Sequence, residues 1–250
     1  MKSLISLIVG LLLTSSIYGY CSVSGLEVFP SNQHIKQNSI FILEGYSTSQ
    51  RIIADLNKKH SIYLKNGDRK INLIVSEILV GEFLLTQAIL RPESELEAGL
   101  EYTMHIDSLP ENEIFTRWNS LTNKRESPTY TILAGIDTLK PQIIQKPQEL
   151  TKEYIEYGCG PSIHVVFSDS IIDSSEFLVK TTVKNLNTGE EISYYLQPYR
   201  NQIHVGHGMC SGAFILENGN EFEVEFSYMD SCGNLTQWIG ERLKFTSPKQ

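Results

Sequence analysis

Leu96-Glu97-Ala98-Gly99-Leu100-Glu101-Tyr102 and Leu216-Glu217-Asn218-Gly219-Asn220-Glu221-Phe222 are one pattern, Leu-Glu-x-Gly-x-Glu-aromatic, written twice in the chain. Each copy runs into alternating residues. Met104 and Ile106 follow the first, interleaved with Thr103 and His105, and Val224, Phe226 and Tyr228 follow the second, interleaved with Glu223, Glu225 and Ser227. Alternation by two behind a glycine turn describes a half-buried strand entered through a sharp corner. Two such corners predict two copies of one domain.

A chain of 250 residues with 41% hydrophobic content can bury one large core or two ordinary ones, and the repeat selects two. The formal net charge of -8 argues against nucleic acid, which demands clustered Lys and Arg, and gives no attraction to anionic lipid.

Lys2, an apolar run over residues 4–13 and the small-residue stretch ending at Gly19 have the order of a secretory signal peptide. The run is too short to span a bilayer. Cleavage near Gly19 would remove residues 1–19, place the mature chain outside the cell or in the periplasm or envelope, and leave Cys21 beside the new amino terminus. A lipid anchor at Cys21 is disfavoured, because such signals want a small residue just before the cysteine and Tyr20 is not small. No other apolar run is long enough for an anchor.

Strand signals recur at sandwich spacing through residues 22–137 and 141–247. In the first copy, residues 26–30 form an edge strand that Pro30 ends, and residues 39–46 are apolar on both faces, as in a central strand. Asn66-Gly67 between Ile62, Leu64 and Ile71, Leu73, Val75 predicts a hairpin with both residues in the turn. Residues 82–90 supply another strand, and Tyr130, Ile132 and Ala134 the last. Residues 135–148, with Pro141 and Pro147, read as a short stiff junction. In the second copy, Ile163 to Phe167, Phe177 to Val183, and Ile192, Tyr194 and Leu196 alternate, and a further strand is expected to hold Phe214 and Leu216.

At the corner the residues resemble the fibronectin type III and bacterial immunoglobulin-like families, which often carry Leu-x-Pro-Gly-x-x-Tyr before the next-to-last strand. Leu96, Gly99 and Tyr102 match, and Ala98 stands in place of proline. The resemblance implies an all-β fold class of two consecutive Greek-key immunoglobulin-like sandwiches, with the Tyr102 hydroxyl bonded back to the chain upstream. The second corner, Leu216, Gly219 and Phe222, lacks that hydroxyl and is expected to be the weaker. Asp230-Ser231-Cys232-Gly233-Asn234 resembles the Asp-x-x-Gly-Asn hairpin of bacterial immunoglobulin-like repeats, which turn chemistry explains without calcium.

Four cysteines in an exported chain favour disulfides over metal. Walking the predicted strands up and down pairs Cys210 with Cys232 and leaves Cys21 and Cys159 unpaired. His204 and His207, with Cys210, are metal-ligand types, but in a strand the two histidines point to opposite faces, so no metal is assigned. Glu221, Glu223 and Glu225 make an acidic row that either gathers a cation or basic partner or, as is usual, is a solvated face that opposes edge pairing.

Residues 107–128 form the longest irregular stretch. Arg117 and Trp118 there are favoured contact types at a sandwich end; the plainer reading tucks Phe115 and Trp118 against their own sandwich. No nucleophile elbow, carboxylate pair or phosphate loop stands out. The expectation is a non-catalytic interaction or spacer module without a cofactor, its partner an envelope or exterior protein or glycan. The alternatives are a carbohydrate-binding module stacking on Trp118, Tyr194, Tyr195 and Tyr199, and a metal-binding accessory enzyme domain at His204, His207 and Cys210.

Overall fold

The computed structural model describes residues 24–119 and 122–249, so residues 1–19, read above as a signal peptide, and Cys21 lie outside the described residues. Among the described residues the fold is all-β apart from a 3-10 turn at Ser47–Ser49 and the short α-helix that follows it, and no helix is long and apolar enough to cross a membrane.

The first half holds strands β1 (Gly25–Phe29), β2 (His34–Lys36) and β3 (Phe41–Tyr46), then helix α1 (Gln50–Ala54). Next come β4 (Ile62–Asn66), β5 (Arg69–Val80), β6 (Leu85–Pro92), β7 (Glu101–Ile106), β8 (Arg117–Asn119), β9 (Lys124–Glu126) and β10 (Thr129–Leu133). Their hydrogen-bonded order is β1-β3-β6-β5-β4-β7-β10-β2. The long β5 pairs first with β4 and then with β6, with a register shift between Val75 and Glu77, so one strand serves both sheets. The order β1-β3-β6-β5 opposite β4-β7-β10 matches the ABED and CFG sheets of an immunoglobulin sandwich. Leu43, Leu64, Leu73, Leu90 and Tyr130 fill the space between them, with Ile52 and Ile53 of α1.

The β4–β5 hairpin differs in detail from the Asn-Gly expectation. Asn66 pairs with Arg69, so the two-residue loop is Gly67-Asp68, with Gly67 at φ +55°. Asn66 instead stays in the strand and its amide donates to the Glu101 carbonyl at 2.8 Å.

The second half holds β11 (Gln142–Ile143), β12 (Glu149–Tyr157), β13 (Gly160–Ser168), β14 (Ile171–Ile172), β15 (Phe177–Asn185) and β16 (Glu191–Leu196). It ends with β17 (Gln202–His207), β18 (Glu221–Asp230), β19 (Leu235–Thr236) and β20 (Leu243–Thr246). One sheet orders β12-β13-β17; the other runs β16-β15-β18, with β19 and β20 both on β18. Val165, Phe167, Ile203, Val205, Val224 and Phe226 fill its core from both sheets. Phe214 and Leu216 are buried there as expected, but from an irregular segment, and the strand that pairs with β13 is β17.

Both corners sit at equivalent places. Gly99 and Gly219 take φ of +81° and +84°, and Tyr102 faces Tyr130 across the register as Phe222 faces Phe245. Leu96, Leu216, Tyr102 and Phe222 are buried. The implied hydroxyl bond is absent: Tyr102 Oη has no hydrogen-bond partner among the described residues. Both corners therefore rest on aromatic burial, and the expected ranking between them loses its basis.

The strand shift also removes the predicted bridge. Cys210 follows β17, whose end lies beside the start of β13, whereas Cys232 follows β18, whose end lies beside the start of β15. These are opposite ends of the second sandwich. Cys232 is a free, buried thiol 3.9 Å from Ser39 Oγ, and burial pushes it up to about 11. Cys159 is free and exposed. The acidic row is neutralised in part within its own sheet: Arg242 bonds Glu225 at 2.9 Å and Lys244 approaches Glu223 at 3.8 Å.

Candidate functional site: a groove at the sheet edge and the junction beneath it

Strand β1 is the terminal strand of its sheet, and residues 112–119 rise beside its outer edge. Between them lies a groove of about 980 Å³. Phe115 anchors the far wall in the first core, while Ile114 and Trp118 are 70% and 57% exposed. The two sequence readings of this stretch thus divide: Phe115 tucks in, and Trp118 does not.

Arg117 is spent on holding the wall. Its guanidinium donates to the carbonyls of Thr129 at 2.6 Å and Ser31 at 3.1 Å, and lies 4.7 Å from the Tyr130 ring centroid. Charge-assisted bonds and a cation–π contact together fix a side chain well. These contacts tie β8, the strand that carries Trp118, to the body of the sandwich. Ser49 donates to the Glu113 carboxylate at 2.8 Å and ties the other end of the wall to α1. A smaller polar pocket of about 210 Å³ lies by the β8–β9 hairpin, with Gln33, Glu101, Glu126 and Thr131 in its wall.

Beside the groove the two halves meet face to face. Phe29, Ile40, Ile42 and Ile89 pack on Leu178, Tyr195 and Met229 as an apolar cluster distinct from both cores. The tip between β5 and β6 bonds the segment after β17: Phe83 and Gly212 exchange backbone bonds at 3.1 and 2.7 Å, and Glu82 N–H donates to Ala213 at 3.0 Å. Gly212 is required there, because a Cβ would stand 2.3 Å from His207 Cα.

Polar groups cross this apolar contact. Tyr194 Oη donates to Glu44 at 2.9 Å, and the Gln87 amide receives the Tyr195 N–H at 2.8 Å and donates to its carbonyl at 3.2 Å. Burial raises the Glu44 carboxyl to about 7, the Tyr194 bond pulls it partly back, and the carboxylate of Glu27 opposite adds to the rise. Tyr194 and Tyr195, candidates for sugar stacking from sequence, are therefore buried junction residues; Tyr199 is 60% exposed.

A cavity of about 280 Å³ at this junction has Glu44, Gln87 and Tyr195 on one side and His164, His204 and His207 on the other. His164, which sequence reasoning passed over, packs against His204 with ring centroids 5.8 Å apart. Burial, then the neighbouring His204 and His207, lower His164 to about 4. His204 and His207 both lie in β17 and both border this cavity, and His207 packs edge-on against Phe83 at 5.3 Å. Among the described residues the group of three donors close enough to share an ion is instead Asp137, Asp173 and Asp230, with carboxylate oxygens within 4.8 Å of one another. Backbone and side-chain donors already serve them: Cys232 and Asn234 N–H donate to Asp230, both at 2.8 Å, Ser175 Oγ to Asp137 at 2.7 Å, and Ser175 N–H to Asp173 at 2.6 Å.

No protein-family model and no characterised relative matches the chain. Solved structures that resemble it include pullulanase type I from Bacillus subtilis str. 168 complexed with maltose, at 12% identity and TM-score 0.27 over 93% of this chain and 28% of that one. The tandem Ig repeats of Dlar match at 11% identity and TM-score 0.23 over 88% of this chain and 97% of that one. The Yersinia pseudotuberculosis adhesin InvE matches at 9% and 0.23, over 90% and 58%. The chain spans about a quarter of the pullulanases' length, 28% and 25% of two of them. At these scores the likeness carries no functional argument.

Proposed function

We propose that the chain is an exported, non-catalytic interaction module that presents the groove beside Trp118 from a stiff body of two sandwiches. The observation that carries this reading is a large exposed indole on a rigid mount: Trp118 is 57% exposed while its neighbour Arg117 is fully engaged in bonds to the sandwich. An aromatic fixed in this way meets a partner at little cost in side-chain ordering. Export is supported by the order of Lys2, the apolar run and Gly19. A photo-reactive benzoylphenylalanine in place of Ile114, irradiated in intact producing cells, is expected to give a discrete adduct that Trp118→Ala reduces at least tenfold. An adduct indifferent to Trp118→Ala would refute the reading.

A second reading, a carbohydrate-binding module, draws support from the polar pocket by the same hairpin, where Glu101, Glu126 and Gln33 could bond sugar hydroxyls beside the indole. A glycan retained by the protein and lost on Trp118→Ala would favour it over a protein partner.

A further inference from the structure

We infer that the partner of this groove is an extended peptide segment that adds to β1 as a new outer strand of the β1-β3-β6-β5 sheet. This rests on the groove being the contact site proposed above and names the class of its occupant.

Strand β1 pairs with β3 along one edge, from Gly25 opposite Tyr46 to Phe29 opposite Ile42, and no other strand pairs with it among the described residues. Five consecutive residues, 24–28, line the groove, so it is the unpaired side of the strand that borders the space. An unpaired edge presents a row of backbone donors and acceptors that another chain can match. The longest edge strand, β12, carries Glu149, Lys152, Glu153 and Glu156, charges that discourage such pairing; β1 carries Glu27 alone and instead has a wall standing off from it.

The charges point the same way. Glu27 is exposed on β1, and Arg125 borders the groove from β9; neither has an ion pair among the described residues. An added strand with a basic residue opposite Glu27 would satisfy that carboxylate cross-strand. Side chains on the strand's other face would meet Trp118 and Ile114. A peptide alternating apolar and polar residues, with one basic position, fits both requirements.

The test is to pan a random decapeptide library displayed on phage against the full protein, and to measure the enriched peptides as synthetic chains. Enriched peptides should alternate and hold Lys or Arg at one fixed position, and Glu27→Lys should weaken them and shift the selection to Asp or Glu there. N-methylation of one alternate set of peptide amides should weaken binding about tenfold, as loss of several backbone hydrogen bonds does, while the other set is tolerated. Peptides that bind with Trp118 dependence but ignore N-methylation in both sets would overturn strand addition and leave the groove as a contact site. Failure to enrich any peptide would also overturn it, and the Ile114 cross-linking experiment would still report separately on the groove.

Discussion

Glu44 and Tyr194 meet at 2.9 Å across the junction of the two halves, a carboxyl from β3 and a phenol from β16 joined beside a largely apolar contact. No Lys or Arg lines the cavity at this point, so the charge of Glu44 is uncompensated when it ionises.

That arrangement fixes a sign. The folded protein holds Glu44 at about 7 against an ordinary 4.5, so between those values the folded state binds more protons than the unfolded one. The stability Glu44 contributes is full below about 4.5 and is lost as pH rises through about 7. Glu44→Gln keeps the shape without the charge and should raise unfolding free energy at pH 8 by about 1–3 kcal/mol, with little change at pH 4.5. Urea melts at the two pH values read this directly.

His164 acts in the opposite direction. Held near 4 against an ordinary 6.5, it binds fewer protons folded than unfolded, so its contribution is full above about 6.5 and falls away as pH drops to about 4. Over the shared window the two slopes offset. Relative to the intact protein, Glu44→Gln should tilt the stability profile upward with pH between 4.5 and 6.5, and His164→Gln should tilt it downward. Parallel profiles for all three proteins would contradict the assignment.

Tyr102 and Tyr130 face each other in register but differ in what their hydroxyls do. Tyr130 Oη donates to the Pro30 carbonyl at 3.1 Å; Tyr102 Oη has no partner. Tyr130→Phe should cost about 1 kcal/mol and Tyr102→Phe within about 0.5 kcal/mol. Tyr102→Ala and Phe222→Ala should each cost about 3–5 kcal/mol through the cavity left behind. Thermal melts of the four variants give the ranking.

Cys159 and Cys232, free thiols among the described residues, differ in access. Cys159 is exposed and should react with a thiol reagent in the native protein, whereas Cys232, buried and pushed up to about 11, should react only after unfolding. Mass mapping of labelled peptides before and after denaturant distinguishes them.

Much of the fold was legible because alternation survives wherever one strand face is buried. The corners at Leu96 and Leu216, the strands around Ile163 and Phe177, and the Asp230 hairpin all appear where the pattern placed them. The misplaced cysteine has one source. Ala213, Phe214 and Leu216 are buried without being a strand, because the β5–β6 tip and the sheets supply their partners. Apolar spacing cannot tell an irregular buried segment from a strand, and that one exchange carried Cys210 to the wrong end of the sandwich. The junction was illegible for a related reason: Glu44, Gln87 and Tyr194 lie far apart in sequence, and a carboxyl in an alternating strand reads as a solvent-facing position until another sheet covers it. Trp118 was visible as a contact type, but the engagement of Arg117 was not.

The exchange of backbone bonds between Phe83 and Gly212 has a mechanical consequence. Residues 134–141 are the covalent tie between the halves, yet a pull applied at β20 would run through those cross-linked amides and through Ile40 N–H to the Ser231 carbonyl. Tension would thus reach the floor of the groove before it stretched the tether, and the grip at β1 would share the fate of the seam between the two sandwiches.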